Sequence, residues 1–307
     1  MQLIKPSVEL WPCPDVWQEQ VARAARLCYA SEGGQKSADD FCDMLMSHGH
    51  LSMFRHASRY FIIETNPDPV EASHGRLATI SGSYIPNWLL VVLSNTPYVA
   101  IAWYKKKGGG RVYFISTNQQ YIIDNMRIKQ MLEPYAVTLS EFVAKANELN
   151  YKTALSLIRY TVCVTTQIST SRELNRTSPN AIAEQSTRYV NFGKKGGITI
   201  CLPHWYQEAK WWKKLFARTF WKVGEWAYML ALRFGLIAQD ARGFLPLDAA
   251  TRVCYTYNVR EWKAIMRLRL MGATGKPHPN AKIAAQQIHD AILPAMASYG
   301  GNNPDLV

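Results

Sequence analysis

The feature that most constrains this chain is a polar run from Arg172 to Tyr189, which is crowded with charged side chains and has almost nothing apolar to bury. The pattern predicts a short helix over 171–176, with Arg172 and Arg176 on one face because residues four apart stack. Pro179 discourages its continuation, since proline lacks a backbone donor and restricts the residue before it. An extended segment over 184–189 would then point alternate side chains to one side.

That extended segment would place a carboxylate, a hydroxyl and a guanidinium together, from Glu184, Ser186 and Arg188. With a second guanidinium from the preceding helix, they would form a receptor for a polar base attached to a phosphate. The alternative is a solvated, salt-bridged connection between two elements, and this window alone does not separate the two interpretations.

Composition bounds the remaining possibilities. The 307 residues are enough for one large or two modest domains with a substantial core. Hydrophobic residues make up 48% and charged residues 19% of the chain, which indicates a compact globular protein and excludes a disordered one. The net charge of +12 suits anionic ligands such as nucleotides, dinucleotides or nucleic acid, although a cationic surface that only promotes solubility would give the same value.

The six cysteines are scattered and form no CxxC pair. We therefore expect reduced core thiols, and neither a disulfide scaffold nor a metal site. The first residues lack the long apolar segment of a signal peptide, and the most apolar window, 88–103, is interrupted by polar residues and a proline. The expectation is a protein without a membrane span, in the cytoplasm, or in the host cytoplasm if the chain is viral.

Apolar periodicity predicts helices and strands in mixed order, with no repeating βαβ unit and no GxGxxG fingerprint. The predicted helices cover 15–30, 36–48, 118–132, 137–149, 205–234, 260–270 and 281–298, and the predicted strands cover 57–65, 159–167, 198–202 and 251–257. The run KKKGGGR from Lys105 to Arg111 is typical of a hairpin or a disordered tip. The predicted fold class is α+β, so a dinucleotide would not be held by a Rossmann fold.

The polar run resembles the signature of the flavin-dependent thymidylate synthases, in which an RHR triplet is followed by seven residues, a Ser and then Arg-Tyr. Here the triplet reads Arg176-Thr177-Ser178, and the end reads Ser186-Thr187-Arg188-Tyr189. Upstream, GHLSMFRHASRYF (Gly49 to Phe61) is similar to the family's GHxSxxEHxxFxF element. Downstream, the family's AR..LP, N.R and LR series is matched by Ala241-Arg242, Leu245-Pro246, Asn258-Val259-Arg260 and Leu268-Arg269. Three ordered matches point to this family more strongly than any single motif.

The resemblance implies reductive methylation of dUMP to dTMP. Methylenetetrahydrofolate would give the one-carbon unit, and reduced FAD, recharged by NADPH, would give the hydride. It also implies an α+β fold with a long central helix, an antiparallel or mixed sheet, and a homotetramer with sites where subunits meet. Residues 1–307 would form one such domain with a family-variable insertion at about 67–147. The expected partners are dUMP and folate, and nucleic acid is not expected.

The resemblance also assigns residues. The implied substrate-binding residues are Glu173, Glu184, Ser186, Arg188, Arg242 and Arg269, and the implied cofactor-binding residues are His56, Arg176, Thr177, Ser178, Asn258 and Arg260. Arg188 would hold the nucleotide phosphate. Arg269 is the catalytic candidate, because a guanidinium against the pyrimidine carbonyl would stabilise the negative charge that develops as the ring is attacked. Taken alone, His56 is more often a core histidine and Asn258 a helix cap.

The chain departs from the family pattern at the triplet, where Thr177 and Ser178 stand for His and Arg, and at Arg55, which stands for Glu. Hydroxyl groups can donate to a pyrophosphate but bring no charge. The hypothesis is therefore weaker FAD binding, an altered flavin pose or changed chemistry. Two alternative functions follow. One is a flavin-dependent pyrimidine deoxynucleotide hydroxymethylase, and the other is an inactive nucleotide- or nucleic-acid-binding homologue.

Overall fold

The computed structural model describes residues 1–31, 33–65, 79–80, 83–84, 87–107, 109–176, 181–194, 196–300 and 306. Helices and strands alternate without a repeating unit, so the α+β prediction is confirmed. The strands are β1 (Gln2–Ile4), β2 (Ser7–Trp11), β3 (Ser58–Glu64), β4 (Thr79–Ile80), β5 (Ser83–Tyr84), β6 (Ala100–Lys105), β7 (Arg111–Asn118), β8 (Ala136–Val137), β9 (Arg159–Gln167), β10 (Ala181–Glu184), β11 (Thr199–Cys201) and β12 (Ala250–Asn258).

The helices flank two main sheets. They are α1 (Trp17–Tyr29), α2 (Ala38–Ser47), α3 (Asn87–Ser94), α4 (Gln119–Asp124), α5 (Met126–Leu132), α6 (Leu139–Glu148), α7 (Lys152–Leu155), α8 (Ile168–Leu174), α9 (Trp211–Arg233), α10 (Ala238–Ala241), α11 (Val259–Arg269) and α12 (Pro279–Ser298). Short 3₁₀ turns cover Leu51–His56, Glu133–Tyr135 and Arg242–Phe244.

The main sheet has the strand order β10-β12-β9-β2, and its neighbouring strands run antiparallel. The β-branched run over 159–167 forms β9 with the predicted bounds. Val162 and Val164 belong to the large core that also contains Ile288 of α12, whereas Cys163 packs in a separate cluster with Leu27 of α1. Because side chains alternate along a strand, this one sheet separates two helical layers.

The second sheet has the order β6-β7-β3-β8 and is also antiparallel. Its β6–β7 hairpin turns at the KKKGGGR tip, where Lys106 N donates to the Gly110 carbonyl at 3.2 Å. Gly109 and Gly110 have φ of 89° and 75°, a conformation that glycine adopts without steric cost. The hairpin interpretation is thus confirmed for the described residues.

One hydrophobic cluster joins the two sheets. It contains Phe114 of β7, Phe142 of α6, Tyr257 of β12 and Trp262 of α11. The Phe114 and Phe142 rings meet edge to face with centroids 5.2 Å apart, and the Tyr257 and Trp262 rings do so at 5.0 Å. Each buried side chain of this size contributes roughly 1.5–3 kcal/mol. The strand β12, which leads into the site, is therefore anchored in a continuous core.

Two predicted helices differ from the structure. The helix predicted over 118–132 is divided into α4 and α5, because Asn125, with φ −127° and ψ 70°, leaves the helical conformation. The long helix predicted from Trp205 begins at Trp211, because Lys210 is extended with ψ 151° and residues 204–209 form turns. Of the tryptophans in this region, Trp221 is buried, and the surface holds Trp211, Trp212 and Trp226.

The six cysteines are free thiols, as their scattered positions predict. None of the helices in the described ranges has the length and apolarity that a membrane span needs. Among the described residues, no three histidine, cysteine, aspartate or glutamate side chains gather closely enough to hold a metal ion.

Candidate active site

The signature segment bends after the sheet. β10 ends at Glu184, and residues 186–190 form a turn in which Val190 N donates to the Ser186 carbonyl at 3.1 Å. Ser186 N donates to the Cys28 carbonyl of α1 at 2.9 Å, which draws the chain away from the sheet. The predicted extended segment over 184–189 is therefore wrong, and its carboxylate, hydroxyl and guanidinium do not share a strand face.

Glu184 fastens β10 to the end of α8. Its Oε1 accepts from Ser171 Oγ at 2.7 Å and from Thr251 Oγ1 at 3.1 Å, and its Oε2 accepts from Asn175 Nδ2 at 3.0 Å. The Asn175 side-chain oxygen accepts in turn from the Tyr255 hydroxyl at 2.7 Å. Three donors on one carboxylate hold it in a single orientation.

Arg269 and Glu173 meet at the same helix. Arg269 Nη2 donates to the Glu173 backbone carbonyl at 2.6 Å. Because this carbonyl lies in the last turn of α8, the guanidinium also meets the negative end of the helix dipole. Arg269 Nε is buried, and it has no hydrogen-bond partner among the described residues. Glu173, Glu184 and Arg269 are thus brought together around α8.

A second group forms at the signature turn. Arg242 Nη1 lies 3.5 Å from Thr187 Oγ1, at the limit of hydrogen-bond distance, which places this exposed arginine beside the neighbour of Arg188. Arg188 N donates to Ser186 Oγ at 3.2 Å, and its guanidinium lies 5.5 Å from the centroid of the Tyr189 ring. Ser186, Arg188 and Arg242 therefore share one surface, although they come from separate segments of the chain.

An aromatic pocket of 370 Å³ adjoins this turn, and its lining includes Tyr29, His48, His50 and Tyr189. The Tyr29 hydroxyl lies 2.9 Å from His50 Nδ1, and the Tyr29 and Tyr189 ring centroids are 5.7 Å apart. Tyr29 and His50 are candidate site residues that the sequence analysis did not predict. The sequence contains a signal for His50, because His50 follows Gly49 at the start of the segment that resembles GHxSxxEHxxFxF.

His56 lies in the core and has no exposed surface. Its Nδ1 is 2.9 Å from Thr256 Oγ1 and 3.5 Å from Cys254 Sγ. The Ile182 backbone is close to the ring, but Nε2 has no partner with hydrogen-bond geometry. Burial, together with the positive charges of Arg159 and Arg55, lowers the His56 pKa to about 3. His56 therefore cannot contact a flavin directly in this conformation, as expected of a core histidine.

The other implied cofactor residues are dispersed. Asn258 caps α11, because its Oδ1 accepts from Glu261 N at 3.0 Å while Glu261 Oε2 accepts from Asn258 N at 3.0 Å. Arg260 Nε donates to Ser156 Oγ at 3.2 Å on the surface. Arg176 is exposed just beyond α8. Thr177 and Ser178 lie outside the described residues.

A model of the thymidylate synthase complementing protein family matches residues 15–77 and 110–296. The chain therefore belongs to this family. Residues 78–109, which lie between the two matched stretches, fall inside the insertion predicted at about 67–147.

Two relatives have names that agree with the family. A flavin-dependent thymidylate synthase from Synechocystis sp. is 32% identical over 89 residues, which cover 29% of this chain and 41% of that protein. A probable flavin-dependent thymidylate synthase of Paramecium bursaria Chlorella virus 1 is 21% identical over 210 residues, which cover 57% of this chain and 92% of that protein. The chain thus spans less than half of the cyanobacterial relative and most of the viral one.

Among solved structures, the UMP/dUMP methylase PolB from Streptomyces cacaoi, crystallised with 5-Br dUMP, aligns with 97% of this chain and 96% of its own. The identity is 15% and the TM-score is 0.41, a likeness that establishes neither a shared fold nor a shared substrate.

Proposed function

We propose that this protein is a flavin-dependent thymidylate synthase, which reductively methylates dUMP to dTMP with methylenetetrahydrofolate, FAD and NADPH. Family membership and the names of the two relatives support the proposal. The observation that carries it is the signature turn, where Arg242 reaches the neighbour of Arg188 beside the aromatic pocket at Tyr189.

The two arginines at the turn would hold the phosphate of dUMP. Two guanidinium groups match a phosphate dianion in charge and in hydrogen-bond geometry. Ser186 would order the sugar and phosphate side from the same turn. Glu184, whose carboxylate is held against α8, would order the same side, and Glu173 would be a polar contact of the nucleotide. Arg269 would stabilise the negative charge that develops on the pyrimidine carbonyl.

The described residues fit a flavin in part. The rings of Tyr29, His50 and Tyr189 form a pocket suited to a planar ring, and the exposed Arg176 offers charge to a diphosphate. FAD supplies the hydride when it is bound. Asn258 and Arg260 stay proposed contacts at the start of α11, as do Thr177 and Ser178. His56 would contribute by positioning β12 through Thr256.

The cysteine thiols of the chain are poorly suited to nucleophilic attack. Burial raises the pKa of all six of them, including Cys28 beside the signature turn, whose pKa rises to about 12. A thiol with such a pKa stays protonated near neutral pH, and only the thiolate attacks. The raised thiol pKa values favour a reaction without a cysteine adduct, in which arginines hold and orient the substrate.

We also propose a homotetramer with sites at the subunit interfaces. Helix α9 supports this assembly, because it exposes a row of large apolar side chains that soluble monomers rarely leave in water. The row consists of Trp212, Leu215, Phe216, Phe220, Val223 and Trp226.

Incubation with dUMP, methylenetetrahydrofolate, FAD and NADPH tests the proposal, with the product identified by its mass. We expect dTMP from the wild type. Arg188→Ala and Arg269→Ala should each abolish turnover while circular dichroism shows an intact fold. Arg127→Ala, which removes an exposed arginine stacked on Trp88, should leave the rate unchanged. Wild-type rates in both site variants would refute the assigned roles.

Two other results would favour the alternatives. A product that carries a hydroxymethyl group, and is therefore heavier than dTMP by one oxygen atom, would identify the hydroxymethylase. The departures from the family triplet at Thr177 and Ser178 motivate this alternative. Colourless protein without a spectral change on adding FAD, combined with salt-sensitive binding of DNA or RNA, would identify the inactive homologue.

A further inference from the structure

The two oxygens of the Glu184 carboxylate have different numbers of hydrogen bonds. A carboxylate offers roughly four lone-pair sites, divided equally between its oxygens. Oε1 accepts from Ser171 Oγ at 2.7 Å and from Thr251 Oγ1 at 3.1 Å, so both sites of this oxygen are filled. Within the part of the chain that the structure describes, Oε2 accepts from Asn175 Nδ2 alone, at 3.0 Å. A ligand that donates to Glu184 would therefore meet Oε2, next to Asn175.

Burial also distinguishes the two sides of this carboxylate. Ser171 and Thr251, which hold Oε1, have 0% and 2% of their surface exposed. Asn175 and Glu184 are half-buried, one directly after α8 and the other at the end of β10. The side of the carboxylate that a ligand can approach is thus the side that Asn175 holds.

Asn175 is itself fixed in one orientation. Its backbone N donates to the Ser171 carbonyl at 2.8 Å, and its Oδ1 accepts from the Tyr255 hydroxyl at 2.7 Å. Because an ionised carboxylate can only accept, the side-chain amide must turn its NH₂ group to Glu184 and its oxygen to Tyr255. Burial raises the pKa of Tyr255 well above its ordinary value, so the hydroxyl keeps its proton and remains a donor.

We infer that Asn175 and Tyr255 are positioning residues, which orient Oε2 of Glu184 toward the 3′-hydroxyl of the nucleotide sugar. This inference rests on the proposed function, in which Glu184 orders the sugar and phosphate side of dUMP. The phosphate of dUMP is mostly a dianion near neutral pH and offers only acceptors. The 3′-hydroxyl is the donor on that side. Its hydrogen bond to a charged oxygen is strong but depends on direction, so the orientation of the carboxylate sets its strength.

Calorimetric titration with dUMP and with 2′,3′-dideoxy-UMP, in the presence of FAD, tests the inference. The dideoxy nucleotide lacks the 3′-hydroxyl and keeps the base and the phosphate. Asn175→Ala should bind dUMP about tenfold more weakly than the wild type, because the carboxylate loses the donor that orients Oε2. It should bind the dideoxy nucleotide as the wild type does, since that ligand gives Glu184 nothing to accept. A general disturbance of the site would instead weaken both nucleotides equally.

Turnover separates positioning from a part in the chemistry. Asn175→Ala should raise the KM for dUMP about tenfold and change kcat less than about twofold, because a hydrogen bond to the sugar is the same in the ground state and the transition state. Tyr255→Phe should raise KM about threefold, since it removes only the partner of the amide. Added to Asn175→Ala, Tyr255→Phe should raise KM no further, because it acts through Asn175.

Tyr60→Phe is the matched control. Tyr60 is also a buried tyrosine, and its hydroxyl accepts from Arg159 N at 3.0 Å. Like Tyr255→Phe, this variant loses a buried hydrogen bond, but the bond lies away from Glu184. It should keep the wild-type KM and the wild-type affinity for both nucleotides.

The outcomes separate this inference from the proposed function. A wild type that binds dUMP without forming dTMP would refute the proposed reaction, and the comparison of the two nucleotides would still decide the inference. A wild type that binds neither nucleotide would refute both. Unchanged dUMP affinity in Asn175→Ala, an equal loss for both nucleotides, or additive effects in the double variant would overturn the inference alone. If Asn175→Ala fails to fold by circular dichroism, Tyr255→Phe decides, because it must weaken dUMP more than the dideoxy nucleotide.

Discussion

Glu184 and Arg269 are held by the same short helix, α8, one through its carboxylate and the other through its guanidinium. Glu184 accepts from Ser171 and Asn175, and Arg269 donates to the Glu173 carbonyl. Charged groups that are fixed before a substrate arrives do not have to be reoriented during the reaction. Electrostatic stabilisation of a transition state is effective because this cost of reorientation is avoided. Because of these contacts, substitution at either residue should affect local stability as well as the proposed ligand binding, so the two effects need separate measurements.

His56 predicts a measurable pH dependence of stability. Its pKa is about 3 in the folded protein, whereas an unperturbed histidine, as in the unfolded chain, has a pKa of 6.5, so only the unfolded state binds the proton in between. The stability contributed by the neutral buried ring is complete above the unfolded pKa and is lost as the pH falls toward 3. Relative to His56→Gln, the wild type should lose about 1.4 kcal/mol of unfolding free energy per pH unit between these values.

Urea titrations of the wild type and His56→Gln at several pH values provide the measurement. The comparison removes the contribution of carboxylates, which both proteins share. Parallel stability profiles for the two proteins would show that His56 is not held neutral by its surroundings.

At the scale of elements, local pattern predicted the strands better than the signature turn. The run of β-branched residues at 159–167 forms β9 because such side chains suit a half-buried sheet wherever it lies. The segment after Glu184 has a strand-like alternation of side chains, but its course is set by Ser186 N, which donates to Cys28 of a distant helix. That hydrogen bond depends on the tertiary position of α1, which no local pattern contains.

The ordered motifs indicated candidate residues but not the shape of the candidate site. Arg188 and Arg242 are brought to one turn, as their motifs imply, because the 3₁₀ turn that begins at Arg242 places this residue next to Thr187. The aromatic pocket depends on Tyr29 from α1 and His50 from the loop after α2, which meet only in the folded chain. His56 has the stronger motif match, yet the packing of β12 against its 3₁₀ turn buries it.

Substitutions at Asn258 can distinguish its role as the cap of α11 from its proposed role in flavin binding. Asn258→Ala should lower the unfolding free energy by about 1 kcal/mol, because it removes the side-chain acceptor at the start of α11. Asn258→Asp keeps an acceptor there and should unfold like the wild type. Because Asn258 is a proposed flavin contact, both variants should bind FAD more weakly in a spectral titration. Unchanged FAD affinity in Asn258→Asp would leave the cap as the sole role of this residue.

The tip of the β6–β7 hairpin should be dispensable. Lys105 and Arg111 are paired in register, so an Asn-Gly turn can replace residues 106–110 and join the same strands. The change removes the ion pair between Lys106 and Glu64 at 2.8 Å, which is partly exposed, and should cost less than about 1 kcal/mol. We expect unchanged turnover, with Lys106→Ala as the control for the lost ion pair. A tenfold drop in rate for the shortened hairpin alone would place the tip in the site.

At the scale of the whole molecule, the surface combines excess positive charge with one concentrated apolar face. The net charge is +12, and the arginines at the signature turn account for part of it. The apolar face lies on α9, where the tilted rings of Phe216 and Phe220 have centroids 4.6 Å apart and the two residues are 64% and 58% exposed. A helix with such a row is suited to packing against a copy of itself, because closed symmetric assemblies bury the same patch on every subunit.

The apolar face of α9 therefore predicts the assembly state. Light scattering after gel filtration should give the wild type a mass of four times the 34.9 kDa chain. Phe220→Glu combined with Trp226→Glu should shift the protein to smaller species, because two carboxylates per subunit would be buried without partners. Val91→Glu is the matched control, since Val91 is 58% exposed on α3, as Phe220 is on α9, and should not change the mass. If the sites lie between subunits, the double variant should also lose turnover while keeping its helical content. A monomeric wild type, or a double variant that remains tetrameric, would show that this face does not hold the subunits together.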